Sequence, residues 1–132
     1  MSSWKELADV AAALQNLKWA LGLLSTMEQS ADGIWIIDAE AQTVYANERM
    51  AAILRTTVAD MVGHPSFGFV YPEDVSQAQQ LFDSKKKGNL APFRFRLRRR
   101  DDTPVWVMAQ GTPMKNAQGA FMGIVGTFTP TD

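Results

Sequence analysis

The sequence predicts an α+β domain in which a five-stranded antiparallel sheet carries short helices on one face. Five short runs rich in β-branched and aromatic residues are typical of strands. They begin at Gly33, Gln42, Phe93, Val105 and Phe121. Helical patterns occupy the interval between the second and third runs, and another precedes the first. We therefore expect an N-terminal amphipathic helix over residues 1–28 and the domain itself over residues 29–132.

Composition and charge exclude several classes of function. A chain of 132 residues is the length of one domain. The 13 Lys and Arg residues against 14 Asp and Glu residues give a formal net charge of -1, so no positive field draws the chain to nucleic acid or anionic lipid. The chain has no cysteine, which excludes disulfides, zinc–cysteine sites and thiol catalysis. The lack of cysteine also fits a cytoplasmic location, which we expect.

The N-terminal helix carries a narrow apolar seam. Its members recur at alternating spacings of three and four residues, as in helices that pair in a coiled coil. They are Leu7, Val10, Leu14, Leu17, Leu21 and Leu24. We interpret the seam as the interface of a homodimer. Docking of the same stripe on the domain's own sheet is the alternative, and both can hold at once.

The same stretch, Leu7–Met27, is interrupted by charged and polar residues and has no basic leader. We therefore expect neither a signal peptide nor a membrane span there.

The first two strand patterns predict a hairpin followed by a capped helix. The runs Gly33–Asp38 and Gln42–Ala46 flank a short turn. Asn47 stands where a helix cap belongs, because its side chain can accept a hydrogen bond from a free amide of the next turn. A short helix with one apolar side should follow it.

The middle of the chain predicts one longer helix. Pro72 at its first position, followed by two acidic residues, favours a start there. Lys85, Lys86 and Lys87 favour the C-terminal turn, and Gly88 follows as the left-handed stop.

The C-terminal strands differ in their faces. The run Phe93–Arg98 alternates apolar residues with arginine, so one face is buried and the other solvated. The runs at Val105 and Phe121 are apolar on both faces, as is the run around Trp35. A sheet with two apolar faces needs a cover on each. The middle helices can cover one face, and the N-terminal helix or another subunit must cover the other.

Short motifs follow one another in a fixed order along the chain. They are Ala31–Asp38, Val44–Asn47, Val62–His64, Val70–Asp74, Phe93–Arg98, Trp106–Val107, Gly119 and Gly123–Gly126. This ordered set resembles the PAS domain family over Met27–Thr129, in its sensory-box type. The subtype is the one in which a basic strand is followed by a strand that bears a tryptophan.

The resemblance implies a PAS-like sheet and a non-catalytic sensory input domain. Such a domain binds a small ligand or a partner and relays the change to an output domain, here of the histidine kinase or diguanylate cyclase type. A ligand-free PAS module for dimerisation or protein interaction is the alternative.

Three positions depart from the family's pattern. Ala41 and Asp101–Asp102 stand where the family usually has a turn glycine and an Asp-Gly pair, and both departures cost turn geometry. The end, Phe128–Asp132, replaces the family's usual exit, and Pro130 would disturb a helix that continued from there.

The resemblance also implies a pocket between the inner face of the sheet and the middle helices. The candidate lining residues are Met50, Ile53, Leu54, Phe69, Leu81, Phe82, Phe93, Phe95 and Leu97. Apolar residues at these spacings are needed as core whether or not a ligand binds. A plain core is therefore the alternative.

The cofactor is left unknown by the sequence. A cysteinyl–flavin adduct is excluded because no cysteine exists. Heme is disfavoured because Gln77, Gln79 and Gln80 stand where heme-binding relatives place an axial histidine. The single histidine, His64, is better interpreted as a loop residue. Non-covalent flavin, a fatty acid, a small carboxylate or no ligand stay open.

Catalytic and nucleic-acid-binding alternatives lack the residues that they need. Ser66 lies two residues after His64, but the two do not make a triad. No pair of histidines is present to hold a metal, and no phosphate loop is present. The arginines of Phe93–Arg98 point away from its phenylalanines, so bases could not stack beside the charges. We predict no catalytic residue, no metal and no nucleic acid.

Overall fold

The computed structural model describes residues 30–131. The predicted N-terminal helix and its seam at Leu7, Val10, Leu14, Leu17, Leu21 and Leu24 lie outside these residues. The strands are β1 Gly33–Asp38, β2 Thr43–Ala46, β3 Phe93–Arg98, β4 Pro104–Lys115 and β5 Phe121–Thr131. The α-helices are α1 Glu48–Ile53, α2 Val58–Met61 and α3 Val75–Lys86, with 3₁₀ turns at Ser66–Phe69 and Pro72–Asp74.

The five strands form one antiparallel sheet in the spatial order β2-β1-β5-β4-β3. Strand β1 pairs on both sides, so that Trp35 lies opposite Ala46 of β2 and Gly126 of β5. The short helices lie between β2 and β3 in the chain. The predicted α+β class, a five-stranded antiparallel sheet with short helices, is confirmed.

The hydrophobic core lies between the sheet and the helices. Side chains alternate along a strand, so every second residue of β1, β3 and β4 faces the core. From the sheet it takes Trp35, Phe95, Leu97, Val105 and Val107. From the helical side it takes Met50, Ala51, Ile53, Leu54, Met61 and Ala78.

Asn47 ties helix α1 to strand β1. Its Oδ1 accepts hydrogen bonds from the amides of Met50 and Ile34, both at 2.9 Å. Its Nδ2 donates to the carbonyl oxygen of Asp32 at 3.1 Å. The residue is fully buried. The predicted cap is confirmed, and it also satisfies the amide of a neighbouring strand.

Helix α3 begins later than predicted. Pro72–Asp74 forms a 3₁₀ turn, and the α-helix starts at Val75. The carboxylate of Asp74 makes no capping bond because it accepts instead from Nε of Arg96 at 2.8 Å. The predicted stop is confirmed, since Gly88 follows the helix with a positive φ of 100°.

Strand β5 runs to Thr131, so Pro130 lies in a strand. It is opposite Val107 of β4. Pairing of β5 with β1 ends at Phe128, opposite Gly33. Beyond that point β5 has one neighbour among residues 30–131, and such an edge position tolerates a residue without an N–H group.

The outer face of the sheet is also apolar, as the sequence predicts. Trp106 and Met108 alternate with the buried Val105 and Val107 along β4. They are 41% and 43% exposed. No helix among residues 30–131 is long and apolar enough to cross a membrane.

Candidate functional site

A cavity of about 110 Å³ lies between the inner face of the sheet and helix α3. Its accessible lining is almost entirely apolar. From α3 it is lined by Ala78, Leu81, Phe82 and Lys85. The aromatic lining residues are Trp35, Phe67, Phe82, Phe93, Phe95 and Phe128. An apolar molecule could be buried here against both layers of the fold.

Trp35 forms part of the wall of the cavity and is held there by three contacts. Its Nε1 donates to Oγ1 of Thr43 at 2.9 Å, in a buried hydrogen bond. The ring of Phe128 lies 5.6 Å from the indole, and that of Phe69 meets it edge-on at 5.8 Å. Because its polar edge is satisfied by Thr43, the indole presents an apolar surface to the cavity.

Two glycines let neighbouring groups approach the cavity closely. A Cβ at Gly126 would lie 2.7 Å from Cε1 of Phe128, so this ring crosses its own strand only because the side chain is missing. A Cβ at Gly111 would meet the aliphatic stem of Lys85 at 3.5 Å. This is an ordinary van der Waals distance, and the tighter neighbour of such a Cβ would be Cγ2 of Ile124 at 3.2 Å, so Gly111 allows the close approach of Ile124.

Lys85 is the charged residue of the cavity wall. It is only 3% exposed. Its Nζ donates to the carbonyl oxygen of Ala91 at 2.6 Å and lies 5.1 Å from the centre of the Phe93 ring. Burial lowers the pKa of Lys85 because it removes water from the ammonium group. The ion pairs of the described residues do not include Lys85.

Ser66 is a buried polar residue of the wall, whereas Gln110, which also lines it, is exposed. It is 7% exposed, at the start of the 3₁₀ turn Ser66–Phe69. Its amide donates to the carbonyl oxygen of Ala41 at 2.9 Å. Within residues 30–131, its Oγ has no hydrogen-bond partner. A buried hydroxyl without a partner is unusual, since most such groups are hydrogen-bonded.

The structure brings together five of the nine predicted lining residues. Those on the cavity wall are Leu81, Phe82, Phe93, Phe95 and Leu97.

The other four predicted residues do not line the cavity. Met50, Ile53 and Leu54 are buried in the core, and Phe69 packs its edge on Trp35. The reason is the close approach of α1 to β1: a Cβ at Gly33 would lie 2.8 Å from Sδ of Met50. The space beneath α1 is therefore already filled.

Sequence reasoning missed Lys85 as a site residue, because it assigned the lysine to a solvated helix end. A signal was present. Ala78, Leu81 and Phe82 precede Lys85 at spacings of seven, four and three, which places all four on one helix face. Ser66 carries no comparable signal, because its burial depends on the turn that follows Pro65.

The arginines of β3 are each engaged by neighbouring groups. The guanidinium of Arg94 lies 4.2 Å from the centre of the Trp106 ring. That of Arg96 lies over Tyr71 and pairs with Asp74, and Arg98 donates to the carbonyl oxygen of Gly68 at 3.0 Å. These contacts favour a structural role for the basic strand.

The residues weighed as heme ligands lie on the surface. His64 is exposed in the loop after α2. Gln77, Gln79 and Gln80 are exposed on α3, and none of the three lines the cavity.

One antiparallel sheet with short helices over one face, and a cavity between the two layers, place the domain in the single-sheet α+β class. The family model of the PAS domain matches residues 31–129, so the chain belongs to the PAS domain family. PAS domains are sensory input modules and are not themselves catalytic. The comparison with curated proteins gives no match.

Solved structures of PAS domains share the fold. The PAS domain of a protein from Colwellia psychrerythraea is 13% identical, with a TM-score of 0.79 over 85% of this chain and 96% of that one. The LOV protein of Rhodobacter sphaeroides is 18% identical, with a TM-score of 0.69 over 80% of this chain and 62% of that one.

A third structure carries a ligand. It is the PAS domain of a LuxR-family transcriptional regulator from Burkholderia thailandensis, in complex with ethanol. It is 16% identical, with a TM-score of 0.66 over 80% of this chain and 94% of that one. At these identities the likeness shows the fold alone.

Proposed function

We propose that this domain is a sensory input module that binds a small, largely apolar molecule in the cavity beneath α3. Binding is relayed to an output domain of the histidine kinase or diguanylate cyclase type. The observation that carries the proposal is the cavity itself, about 110 Å³ of space walled by aromatic rings from both layers. Side chains normally pack closely between a sheet and its covering helices, whereas this space is partly open to solvent, so that a ligand can reach it.

The volume limits the ligand. An apolar cavity of about 150 Å³ holds benzene, whereas drug-sized ligands occupy about 300–1,000 Å³. The cavity of about 110 Å³ therefore suits a molecule of benzene size or smaller. A flavin ring system or a heme would require the helices to move apart. The ethanol complex of the related PAS domain supports a ligand of this size.

The relay follows from the position of the cavity. It is walled by α3 on one side and by β1 and β5 on the other, through Trp35, Ile124 and Phe128. A ligand that binds one packing of these elements better than another shifts the population between them. We propose that the N-terminal helices of a homodimer carry this shift onward, through the seam at Leu7, Val10, Leu14, Leu17, Leu21 and Leu24.

A cavity-filling variant tests ligand binding. Ala78 lines the cavity and is 8% exposed, so Ala78→Leu should fill part of the space. Native mass spectrometry and absorbance would first identify any co-purified molecule, and thermal shift with ethanol and benzene would follow. Ala78→Leu should abolish binding, whereas Ala52→Leu, at an exposed position on α1, should not. Binding that is equal in both variants would place the ligand elsewhere.

A ligand-free interaction module is the second candidate. The observation that favours it is the exposure of Trp106 and Met108 on the outer face of the sheet. The two candidates differ in the effect of seam substitutions. A variant with Leu14→Glu and Leu21→Glu that still sediments as a dimer would refute the helical interface in both. An apo protein that binds no probe but loses its dimer on these substitutions would favour the interaction module.

A further inference from the structure

Lys85 is a buried cation without a counter-ion in the described part of the chain. It is 3% exposed, and its ammonium group has one hydrogen-bond acceptor there, the carbonyl oxygen of Ala91 at 2.6 Å. An ammonium has three N–H donors. The face of the Phe93 ring, 5.1 Å away, offsets part of the charge but accepts no conventional hydrogen bond. Buried charges are normally paired, because leaving water without a partner is unfavourable.

Packing does not require a charged side chain at position 85. Helix α3 places Lys85 seven residues after Ala78, on the face that carries Leu81 and Phe82 toward the cavity. A methionine of similar length could cover Gly111 with its stem and carry no charge. The neighbouring Lys86 and Lys87 are exposed, so the helix end has cations in water already. We therefore infer that the ammonium group of Lys85 binds a ligand.

Ser66 adds an independent observation on the same cavity. Its Oγ is buried and has no hydrogen-bond partner among the described residues, and the residue lines the cavity with Lys85. A hydroxyl can donate one hydrogen bond. Both residues line the cavity, but its accessible surface is almost entirely apolar, so the ammonium group and the hydroxyl lie just behind that surface.

We propose that the ligand of this cavity is a small carboxylate with an apolar body. Its charge is paired with the ammonium group of Lys85 and its second oxygen accepts from Ser66, after both side chains have turned their donors into the cavity. This inference rests on the proposed ligand-binding function and names its chemical class. A carboxylate offers two acceptor oxygens on one apolar chain, which matches two donors in an apolar wall. A phosphate would bury further charged oxygens against aromatic rings, without donors to satisfy them.

Butyrate and butyramide test the charge directly, because they are nearly isosteric and differ in charge. Each has the same number of non-hydrogen atoms as benzene, which suits the cavity volume. Their affinities would be measured by calorimetry or ligand-observed NMR at constant ionic strength. The unmodified protein should bind butyrate at least about tenfold more tightly, the equivalent of one charge-assisted hydrogen bond.

Two lysine variants supply the matched comparison. Lys85→Met should remove the preference for butyrate while leaving any affinity for butyramide. Lys86→Met should retain the preference, because Lys86 is exposed and its Nζ lies near Phe121, at 5.6 Å from the ring centre. Ser66→Ala should weaken butyrate binding to a smaller extent.

The outcomes separate this inference from the proposed function. Equal affinity for butyrate and butyramide, or binding of ethanol and benzene alone, would overturn the carboxylate and leave the ligand-binding module intact. Failure of every probe, neutral or anionic, would remove the proposed ligand-binding function as well.

If Lys85→Met does not fold, the side chain itself can be followed in the unmodified protein. Butyrate should shift the ¹³Cε resonance of Lys85 at saturation. A resonance that does not move while butyrate binds would overturn the pairing.

Discussion

At the scale of single residues, Asn47 connects more groups than its position in the sequence suggests. Its Oδ1 accepts from both Met50 and Ile34 in a fully buried site. We expect Asn47→Ala to lower the free energy of unfolding by about 2–4 kcal/mol, because a helix cap is lost and two buried amides are left unsatisfied. Urea denaturation measures this.

The cap of helix α2 provides the control for Asn47. Thr57 is exposed and accepts from the amide of Asp60 alone, at 3.1 Å. Thr57→Ala should cost only about 1 kcal/mol. Equal losses at the two caps would mean that the bond from Ile34 and its burial contribute nothing.

Ala41 and Asp102 occupy turns in a left-handed conformation. Their φ values are 62° and 65°, a region that is unfavourable for residues with a Cβ by about 1–2 kcal/mol. Ala41→Gly and Asp102→Gly should each stabilise the domain by roughly 0.5–1 kcal/mol, because glycine relieves this strain at some cost in backbone entropy. The departures from the family's glycine pattern at these turns are therefore sources of strain.

Ala52→Gly is the matched control for these turn substitutions. Ala52 is exposed inside helix α1, where glycine should lower stability by about 1 kcal/mol. The test is the sign of the change in urea midpoint: positive at the turns and negative at Ala52. A decrease in the urea midpoint at all three positions would contradict the proposed backbone strain at Ala41 and Asp102.

Lys85 should make the stability of the domain depend on alkaline pH. Burial lowers its pKa in the folded state below 10.5, its ordinary value. Between the folded and the ordinary pKa the unfolded chain binds more protons, so the free energy of unfolding rises as pH increases through that window. The free energy of unfolding of the unmodified protein, relative to that of Lys85→Met, should therefore rise toward pH 10. Denaturation of both proteins at several pH values measures it, and a flat difference would contradict the burial of charge.

At the scale of elements, the pairing of β1 with β5 depends on one glycine. Gly123 has a φ of 151°, and a Cβ there would lie 2.0 Å from the carbonyl oxygen of Ile37. Gly123→Ala should cost roughly 3 kcal/mol or more, because the clash is with backbone and the two strands must separate.

Gly119 allows the cost of a positive φ to be measured without a steric clash. Gly119 lies in the β4–β5 turn with a positive φ of 80°, and a Cβ there would meet no atom within 4 Å beyond its chain neighbours. Gly119→Ala should therefore cost only the conformational strain, about 1–2 kcal/mol. Urea denaturation of the two variants compares them, and similar losses would show that the contact with Ile37 relaxes without consequence.

At the scale of the whole molecule, a ligand in the cavity should stabilise the fold by linkage. At a concentration about 100 times its Kd, a ligand adds about 2.7 kcal/mol to the free energy of unfolding. For a domain of this size that raises the Tm by on the order of 10 °C. Differential scanning fluorimetry with butyrate measures the shift. Ala78→Leu should not show it, and an undiminished shift in that variant would place the ligand outside the cavity.

Much of the fold is predictable from local patterns in the sequence. The alternation in β3, the cap at Asn47 and the stop at Gly88 each depend on residues close in the chain, so their positions follow from period and propensity. The late start of α3 does not. The carboxylate of Asp74, which could have capped the helix, is bonded instead to Arg96, a residue distant in sequence.

The sequence by itself determined the strands, the helices between β2 and β3 and the two apolar faces of the sheet, because hydrophobic period is a property of neighbouring residues. Only the tertiary structure decided which apolar residues line the cavity and which pack in the filled core. Met50 meets β1 at Gly33 and leaves no room, whereas Lys85 reaches Ala91 beside an open cavity. Both outcomes depend on how closely distant elements approach one another, and a void is a property of packing that no single segment encodes.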